Sequence, residues 1–459
     1  MQTRNLFQGS KYVYLSAMSA NIAAFMTGCS SAWSSPIIPK LLTDDWDQNP
    51  LGRVITKIEI SWVGSLSSFG AVFGAVLVGL VTQKIGRKFT NILVMTLFLV
   101  AFLTAAFTPL IEILYIARIL MGSACGGLFY ACHVYNTEIA EDANRGILMS
   151  SSGLLLVLGI VFTYSVGPFV SIMLYNLILV GICVVYFPIF CYFAPESPYH
   201  LIQKRQEAEA FKSLYYLRRL PDNKIDELIA QIKSQLESKE EGSFLDIFKT
   251  RGSIKAFFCA SSLVIFTQLS GINVFYSYMQ VIFNATQSSV PPEICPIIIS
   301  IVQLLSSSVS TLLCDRLGRR TLLLISASGS AFFEVVLGLY FYLQNGGQDV
   351  SALGWLPITS LVGFMLFYKF GIGTFAWPMS SELLPPKVLA KATLLLTTIF
   401  WCLGCLLTLF FNPLSDAVGM AGSFWLFAGC CSVFAVITFF FIFETKGKSF
   451  DQIQAVFNK

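Results

Sequence analysis

The sequence predicts an all-α membrane protein of twelve transmembrane helices, arranged as two pseudo-symmetric six-helix bundles. Three observations predict it. Of 459 residues, 55% are hydrophobic and 12% charged, with mean hydropathy +0.70, whereas an average soluble domain is about 25% charged. The charges are unevenly placed: residues 194–252 hold 20 of the 56, leaving 36 over the other 400 positions. Motifs of the first half also recur in the second. This composition excludes a soluble globular protein, and a net charge of +4 is too mild to point to nucleic acid.

A bilayer span needs about 20 mostly apolar residues. After a polar N-terminal stretch, Met1 to Lys11, apolar runs cover about 12–38, 58–81, 89–108, 111–136, 147–168 and 169–193. The first is too long for the core of a cleaved signal, so it is expected to remain as a span. The charged stretch follows, with ten basic and ten acidic residues, and then runs at about 253–283, 292–313, 320–343, 354–381, 390–411 and 420–442. The expected domains are therefore an N-terminal bundle (1–193), a central loop (194–252), a C-terminal bundle (253–442) and a tail (443–459). Within the loop, Glu207 to Leu217 and Lys224 to Leu236 read as helices, and Ile225, Leu228, Ile229 and Ile232 recur at amphipathic spacing.

Basic residues orient the spans. With both termini cytoplasmic, the short inner loops and tails carry 15 Lys and Arg, and the outer segments four, Lys40, Arg53, Lys57 and Arg118. The sequon Asn284-Ala285-Thr286 then falls outside, where Asn284 is a candidate glycosylation site. Twelve Cys lie nearly all inside apolar runs and read as small buried hydrophobes, not as disulfides. Cys402-Leu-Gly-Cys405 has metal-site spacing but no polar second shell, so neither metal nor cofactor is expected. The two histidines, His133 and His200, are isolated, and no His, Ser or carboxylate cluster suggests an enzyme.

The repetition is specific. Gly79-Leu-Val-Thr-Gln83-Lys-Ile-Gly86-Arg87-Lys88 matches Thr311-Leu-Leu-Cys-Asp315-Arg-Leu-Gly318-Arg319-Arg320 at an offset of 232, Glu138 matches Glu382 at 244, and Pro195-Glu196-Ser197 matches Phe443-Glu444-Thr445 at 248. Similar offsets indicate a duplicated six-helix unit. Tight glycine loops gather guanidinium groups where carboxylates from neighbouring helix ends can meet them. The candidate inner gate is Arg87, Glu138, Arg145, Arg319, Glu382 and Glu444, whose pairs would break as the halves rock.

These loops, with Arg118-x-x-x-Gly122, Arg145-Gly146, Pro195-Glu-Ser-Pro198, Gln268-Leu-Ser-Gly-Ile-Asn273, Trp377 and Glu444-Thr-Lys-Gly447, resemble the sugar porter branch of the major facilitator superfamily. The run Trp33-Ser-Ser-Pro36 resembles its insect-type facilitated trehalose transporters. The resemblance implies the major facilitator fold and a central sugar site formed by Gln268, Asn273, Gln303, Trp377 and Trp401. Amides offer donors and acceptors to hydroxyls, and indole faces cover the C–H face of a pyranose. Gln268 and Asn273 are five apart with Gly271 between, so a helix break there would turn both into the cavity.

The chain also departs from the family pattern at Gln83, Gly153, Thr267, Thr374, Ala376, Leu389 and Phe443. Leu389 stands where an Arg would follow Glu382, so Lys387 or Lys391 is expected to partner that carboxylate. Glu334 and Lys369 are charges deep in apolar runs. They are functional candidates by default, with lysine snorkelling as the structural alternative. The expected function is uniport of a neutral sugar, trehalose or a hexose such as glucose, by a monomeric plasma-membrane protein. The alternatives are a sugar sensor with little transport, or a carrier of another small neutral polyol.

Overall fold

The computed structural model describes residues 11–45, 49–141, 143–237 and 242–446 with Gln452 and Phe457, the side chains of Phe129 and residues 311–316 apart. The motif positions Asp315, Arg316 (as side chains) and Gly447 therefore lie outside the described residues, as does the N-terminal stretch before Lys11. The helices in order are α1 (Lys11–Ala32), α2 (Ser34–Leu41), α3 (Lys57–Ile85), α4 (Arg87–Ala106), α5 (Ile111–Leu128), α6 (Val134–Ile139), α7 (Arg145–Val166), α8 (Ile172–Phe193), α9 (Pro198–Gln203), α10 (Glu207–Arg218), α11 (Asp222–Glu237), α12 (Arg251–Leu269), α13 (Ile272–Asn284), α14 (Cys295–Leu317), α15 (Arg319–Asn345), α16 (Leu356–Phe370), α17 (Ile372–Leu383) and α18 (Leu389–Phe441).

Nine helical stretches among the described residues are long and apolar enough to cross a membrane. One of them, α18, has 53 residues, about 80 Å at 1.5 Å per residue, more than twice a hydrocarbon core of about 30 Å. Gly419, with φ 77° and ψ 163°, interrupts it and divides spans eleven and twelve. Span eight is the shorter apolar stretch Cys295–Ser310. Span one, α1 with α2, is less hydropathic because it buries Ser16, Ser19, Asn21, Thr27, Ser30, Ser34 and Ser35. Twelve spans result, six on each side of the central polar segment.

Small residues let the spans approach. Between α3 and α5, a Cβ added at Gly70, Gly74, Gly122 or Gly126 would fall 1.8–2.1 Å from a carbonyl oxygen of the other helix. In a bilayer, where lipid tails are as apolar as leucine, such close packing replaces the hydrophobic drive between helices.

By their contacts the residues group into two compact units: Met1–Ser31, Leu66–Ile160 and Val170–Glu240 form unit 1, and Ala32–Ser65, Val161–Phe169 and Glu241–Lys459 form unit 2. Unit 1 contains the central helices, whose apolar faces close on each other: Leu201, Ala210, Leu214, Ile225, Ile229 and Ile232 are buried, with Leu228 and Leu236 packed around them. Unit 2 includes the ends of spans one, two and five remote from the arginine loops. There Gln280 N donates to Ser35 Oγ (3.1 Å), Asn412 Nδ2 to Ser61 Oγ (2.9 Å) and Tyr164 Oη to the Tyr276 carbonyl (3.2 Å), and Lys57 pairs with Asp416 (2.8 Å).

Candidate functional site

The helix break expected between the two amides is present. α12 stops at Leu269, Ser270 caps it, and Gly271 takes φ +73°, a left-handed conformation that suits glycine. A Cβ there would also lie 2.7 Å from the Phe427 ring. Gln268 thus sits in the last turn of α12 and Asn273 in the first turn of α13, and both reach the bare surface of Gly404 on α18. Gln268 is fully buried, and neither of its amide atoms, nor Nδ2 of Asn273, has a hydrogen-bond partner in the protein. An unmet buried polar group costs about 1–3 kcal/mol, so these amide atoms carry hydrogen-bonding capacity that the protein itself does not use.

Gln303 is buried one turn from Ser307 on α14 and donates from Nε2 to Tyr276 Oη at 2.8 Å. Trp377 packs edge-on against Phe400 at 5.4 Å, on the rim of an apolar cluster that includes Val264, Leu384, Val388 and Leu396. Trp401 meets the same Phe400 at 5.2 Å. The structure therefore brings together Gln268 with Asn273, Gln303 with α13, and the two indoles through Phe400. Sequence reasoning missed Tyr276, Phe400 and Gly404. Tyr276, three residues after Asn273 and so on one helix face, was the one with a local signal.

The charged motifs build the same arrangement twice. In unit 1, Gly86 (φ +91°) opens α4, and the Glu196 carboxylate accepts from the backbone N–H groups of Arg87 (2.8 Å), Lys88 (3.2 Å) and Ser197 (2.8 Å). A carboxylate at a helix N-terminus meets unpaired N–H groups and the positive end of the dipole. Arg87 holds Glu138 through Nε (3.2 Å) and Nη2 (2.8 Å), its Nη1 meets His200 Nδ1 at 2.9 Å, and Ser197 Oγ donates to Glu138. In unit 2, Gly318 (φ +83°) opens α15, and Glu444 accepts from Arg319 N and Arg320 N, both 3.0 Å. The Arg319 side chain binds Glu382 and Thr445 Oγ1. Glu444 thus parallels Glu196, Arg319 parallels Arg87, Glu382 parallels Glu138, and Thr445 parallels Ser197.

The expectation for Lys391 is corrected: its Nζ donates to the Gly242 carbonyl, and Glu382 takes Arg319 instead. Leu389 joins the apolar cluster of Leu384 and Val388. Arg145 is exposed at the start of α7, while nearby Glu141 pairs with Arg218 of α10 at 2.6 Å, a link that sequence reasoning missed. Burial raises the Glu196 carboxyl against its three N–H donors. At Glu444 burial acts the same way, but the N–H groups of Lys446, Arg319 and Arg320 prevail and hold the carboxyl below its usual range. Burial, and then the charges of Arg87 and Lys204, bring His200 down to about 4, so at neutral pH it is an uncharged acceptor for Arg87.

Two further sequence candidates lie elsewhere. Glu334 is buried on α15 against the Cys431 thiol of α18, and Asn284 is exposed as the last residue of α13.

The family described as Sugar (and other) transporter matches residues 5–457. Facilitated trehalose transporter Tret1 of Bombyx mori is 33% identical over 96% of this chain and 86% of its own length. Tret1 of Culex quinquefasciatus is 30% identical over 96% and 84%. The Aedes aegypti Tret1 is also 30% identical, but the chain spans only about half of it, 54%. Among solved structures, the inward open xylose transporter XylE from E. coli superposes with a TM-score of 0.79 at 19% identity, covering 97% of this chain and 99% of that one. The partially occluded inward open form gives 0.78 at 20% identity, covering 96% and 100%. That likeness shows the fold, two six-helix bundles of the major facilitator type.

Proposed function

This chain belongs to the sugar (and other) transporter family, and from that premise we propose that it carries a neutral sugar, trehalose or a hexose such as glucose, down its gradient by alternating access. Membership makes it a multi-pass membrane transporter and not an enzyme. The observation that carries the reading is the buried, unpartnered amide of Gln268 beside the half-buried Asn273, whose Nδ2 also has no partner, at the break in span seven. Uncharged polar groups meet sugar hydroxyls without burying an ion in lipid, and the half-buried indoles of Trp377 and Trp401 are of the kind that cover a pyranose ring. The relatives' names, facilitated trehalose transporters, point to the same class of cargo.

In this reading the duplicated halves, 1–193 and 253–442, rock about the site. The clusters around Arg87 and Arg319 are the inner gate, and the hydrogen bonds from α13 and α18 to Ser35 and Ser61 close the opposite end. The protein is a monomer in the plasma membrane, with both termini and the central loop cytoplasmic and Asn284 glycosylated outside. Uptake by the purified protein in liposomes tests it with a panel of mono- and disaccharides. Equilibration of one sugar without accumulation is the expected result. Saturable binding with no flux would instead identify a sensor.

A further inference from the structure

Lys369 is a charge in the middle of span ten. Leu383 lies fourteen residues further and Ser351 eighteen residues back, about 21 and 27 Å away at 1.5 Å per residue. Either end of the span is beyond the few-ångström reach of a lysine stem, so snorkelling does not bring this ammonium to an interface.

Nor is it needed to cap the helix it ends. The span breaks at Gly371 (φ −139°, ψ −77°), between α16 and α17. The last three carbonyls of α16 are each taken by a hydroxyl: Tyr368 O by Ser326 Oγ (3.3 Å), Lys369 O by Thr374 Oγ1 (2.6 Å) and Phe370 O by Ser310 Oγ (3.0 Å). Ile372 N, on the other side of the break, donates to Ser326 Oγ at 3.0 Å. The Lys369 side chain keeps part of its surface accessible, and its Nζ sits 5.8 Å from the centre of the Tyr368 ring. Among the described residues no carboxylate stands within ion-pair distance of it.

The course of the stem fixes the direction. A Cβ added at Gly373 would lie 3.1 Å from Lys369 Cδ and 2.4 Å from the Tyr368 ring, so the stem runs across the bare surface of Gly373. Gly373 and Trp377 are four apart on α17 and share a face. The Lys369 stem therefore crosses the face of α17 that carries the indole proposed to receive the sugar.

We propose that Lys369 forms an anion subsite beside Trp377, and that the carrier takes a sugar acid, a pyranose bearing one carboxylate, in preference to the matching neutral sugar. The inference rests on the sugar-carrier reading and extends its substrate class from neutral sugars to sugar acids. A carboxylate on a ring laid over Trp377 supplies the counter-ion the ammonium lacks, and a charge-assisted bond away from bulk water is among the stronger polar contacts. A neutral ring satisfies Gln268 and Asn273 equally well but leaves the ammonium without an anion, the costly arrangement for a charge inside a membrane protein.

The test is competition for sugar uptake by the full chain in liposomes, with glucose and glucuronate as paired competitors against the same labelled neutral sugar. Glucuronate is expected to inhibit at about tenfold lower concentration than glucose, the scale of one partly desolvated charge pair. Lys369→Met should bring the two within about twofold, and Lys369→Arg should keep the preference. Chloride and phosphate at matched ionic strength should not compete. Thermal shift of the purified wild type with each sugar gives the same comparison without a variant, and glucuronate should stabilise more. Equal or weaker inhibition by glucuronate, a preference that survives Lys369→Met, or competition by the inorganic anions as strong as by glucuronate would each overturn the inference. Neutral uptake without acid preference removes this inference alone. Absence of binding and uptake for every sugar removes the carrier reading with it.

Discussion

Asn273 approaches Gly404 so closely that a Cβ on Gly404 would stand 2.5 Å from its Nδ2, and 2.9 Å from Gln268 Nε2. Span eleven thus passes the two amides at the one position in its turn without a side chain. Asn273→Ala should remove a hydroxyl contact worth about 1–3 kcal/mol, raising the KM for uptake by roughly 5- to 150-fold with surface expression unchanged. Gly404→Ala should raise KM in the same direction by pushing both amides aside. Normal affinity in both variants would remove the amides from the site.

Arg319 and Glu382 are each about three-tenths exposed, so the pair contributes at most about 1 kcal/mol to stability. Arg319→Ala should therefore leave the melting temperature in detergent nearly unchanged while altering transport kinetics. Leu389→Arg, a natural-looking repair from the motif alone, would place a guanidinium on the cluster of Leu384 and Val388. It should lower thermostability, by about 1–3 kcal/mol as core disruptions do, and should not strengthen the gate. A Leu389→Arg variant as stable as wild type and slower in transport would reverse that assignment.

His200 makes stability depend on pH. Its native pKa of about 4 lies below the ordinary value of 6.5, so between those values the unfolded chain binds a proton that the native chain does not, and stability rises with pH. The contribution is complete above about 6.5 and is lost as pH falls toward 4. Melting curves of wild type and His200→Asn over pH 4–7 should diverge, the wild type showing the steeper fall on acidification. Parallel curves would mean His200 is not neutral against Arg87.

Gly64 on span two faces Tyr278 of α13, and a Cβ there would be 2.2 Å from the hydroxyl, which itself donates to the Thr408 carbonyl at 3.0 Å. Gly64→Ala should prevent this end of the spans from packing and slow uptake, and Tyr278→Val in the same chain should recover part of the rate by removing the ring. Unchanged uptake in Gly64→Ala would show that this contact is not made during transport.

Transport should be independent of a proton gradient. Residues 1–43 contain no Asp or Glu, and Glu334 is enclosed against Cys431 instead of lining the amide site, so among the described residues no carboxyl beside the proposed cargo is placed to alternate between charged and neutral forms. Uptake should persist with an uncoupler and stop at equal concentrations. Accumulation that the uncoupler abolishes would contradict a uniporter, and Glu334→Gln would be the first variant to make.

Spans, repeat and helix break were legible because each depends on neighbours in the chain. Hydropathy over some twenty residues decides what enters lipid, Ile225, Ile229 and Ile232 mark one helix face by spacing alone, and a glycine between two amides five apart announced the turn at Gly271. Partners across helices were another matter. Leu389 suggested a lysine nearby for Glu382, yet the partner is Arg319, 63 residues away, while Arg218 reaches Glu141 over 77 residues and His200 reaches Arg87 over 113. Lys369 lies too far from either end of the span Ser351–Leu383 to snorkel, and only the fold lays its stem over Gly373. Such contacts depend on the rotation and register of each helix against the next, set by small residues such as Gly70 and Gly122 meeting a neighbour's carbonyls, and no local period encodes which face will meet which.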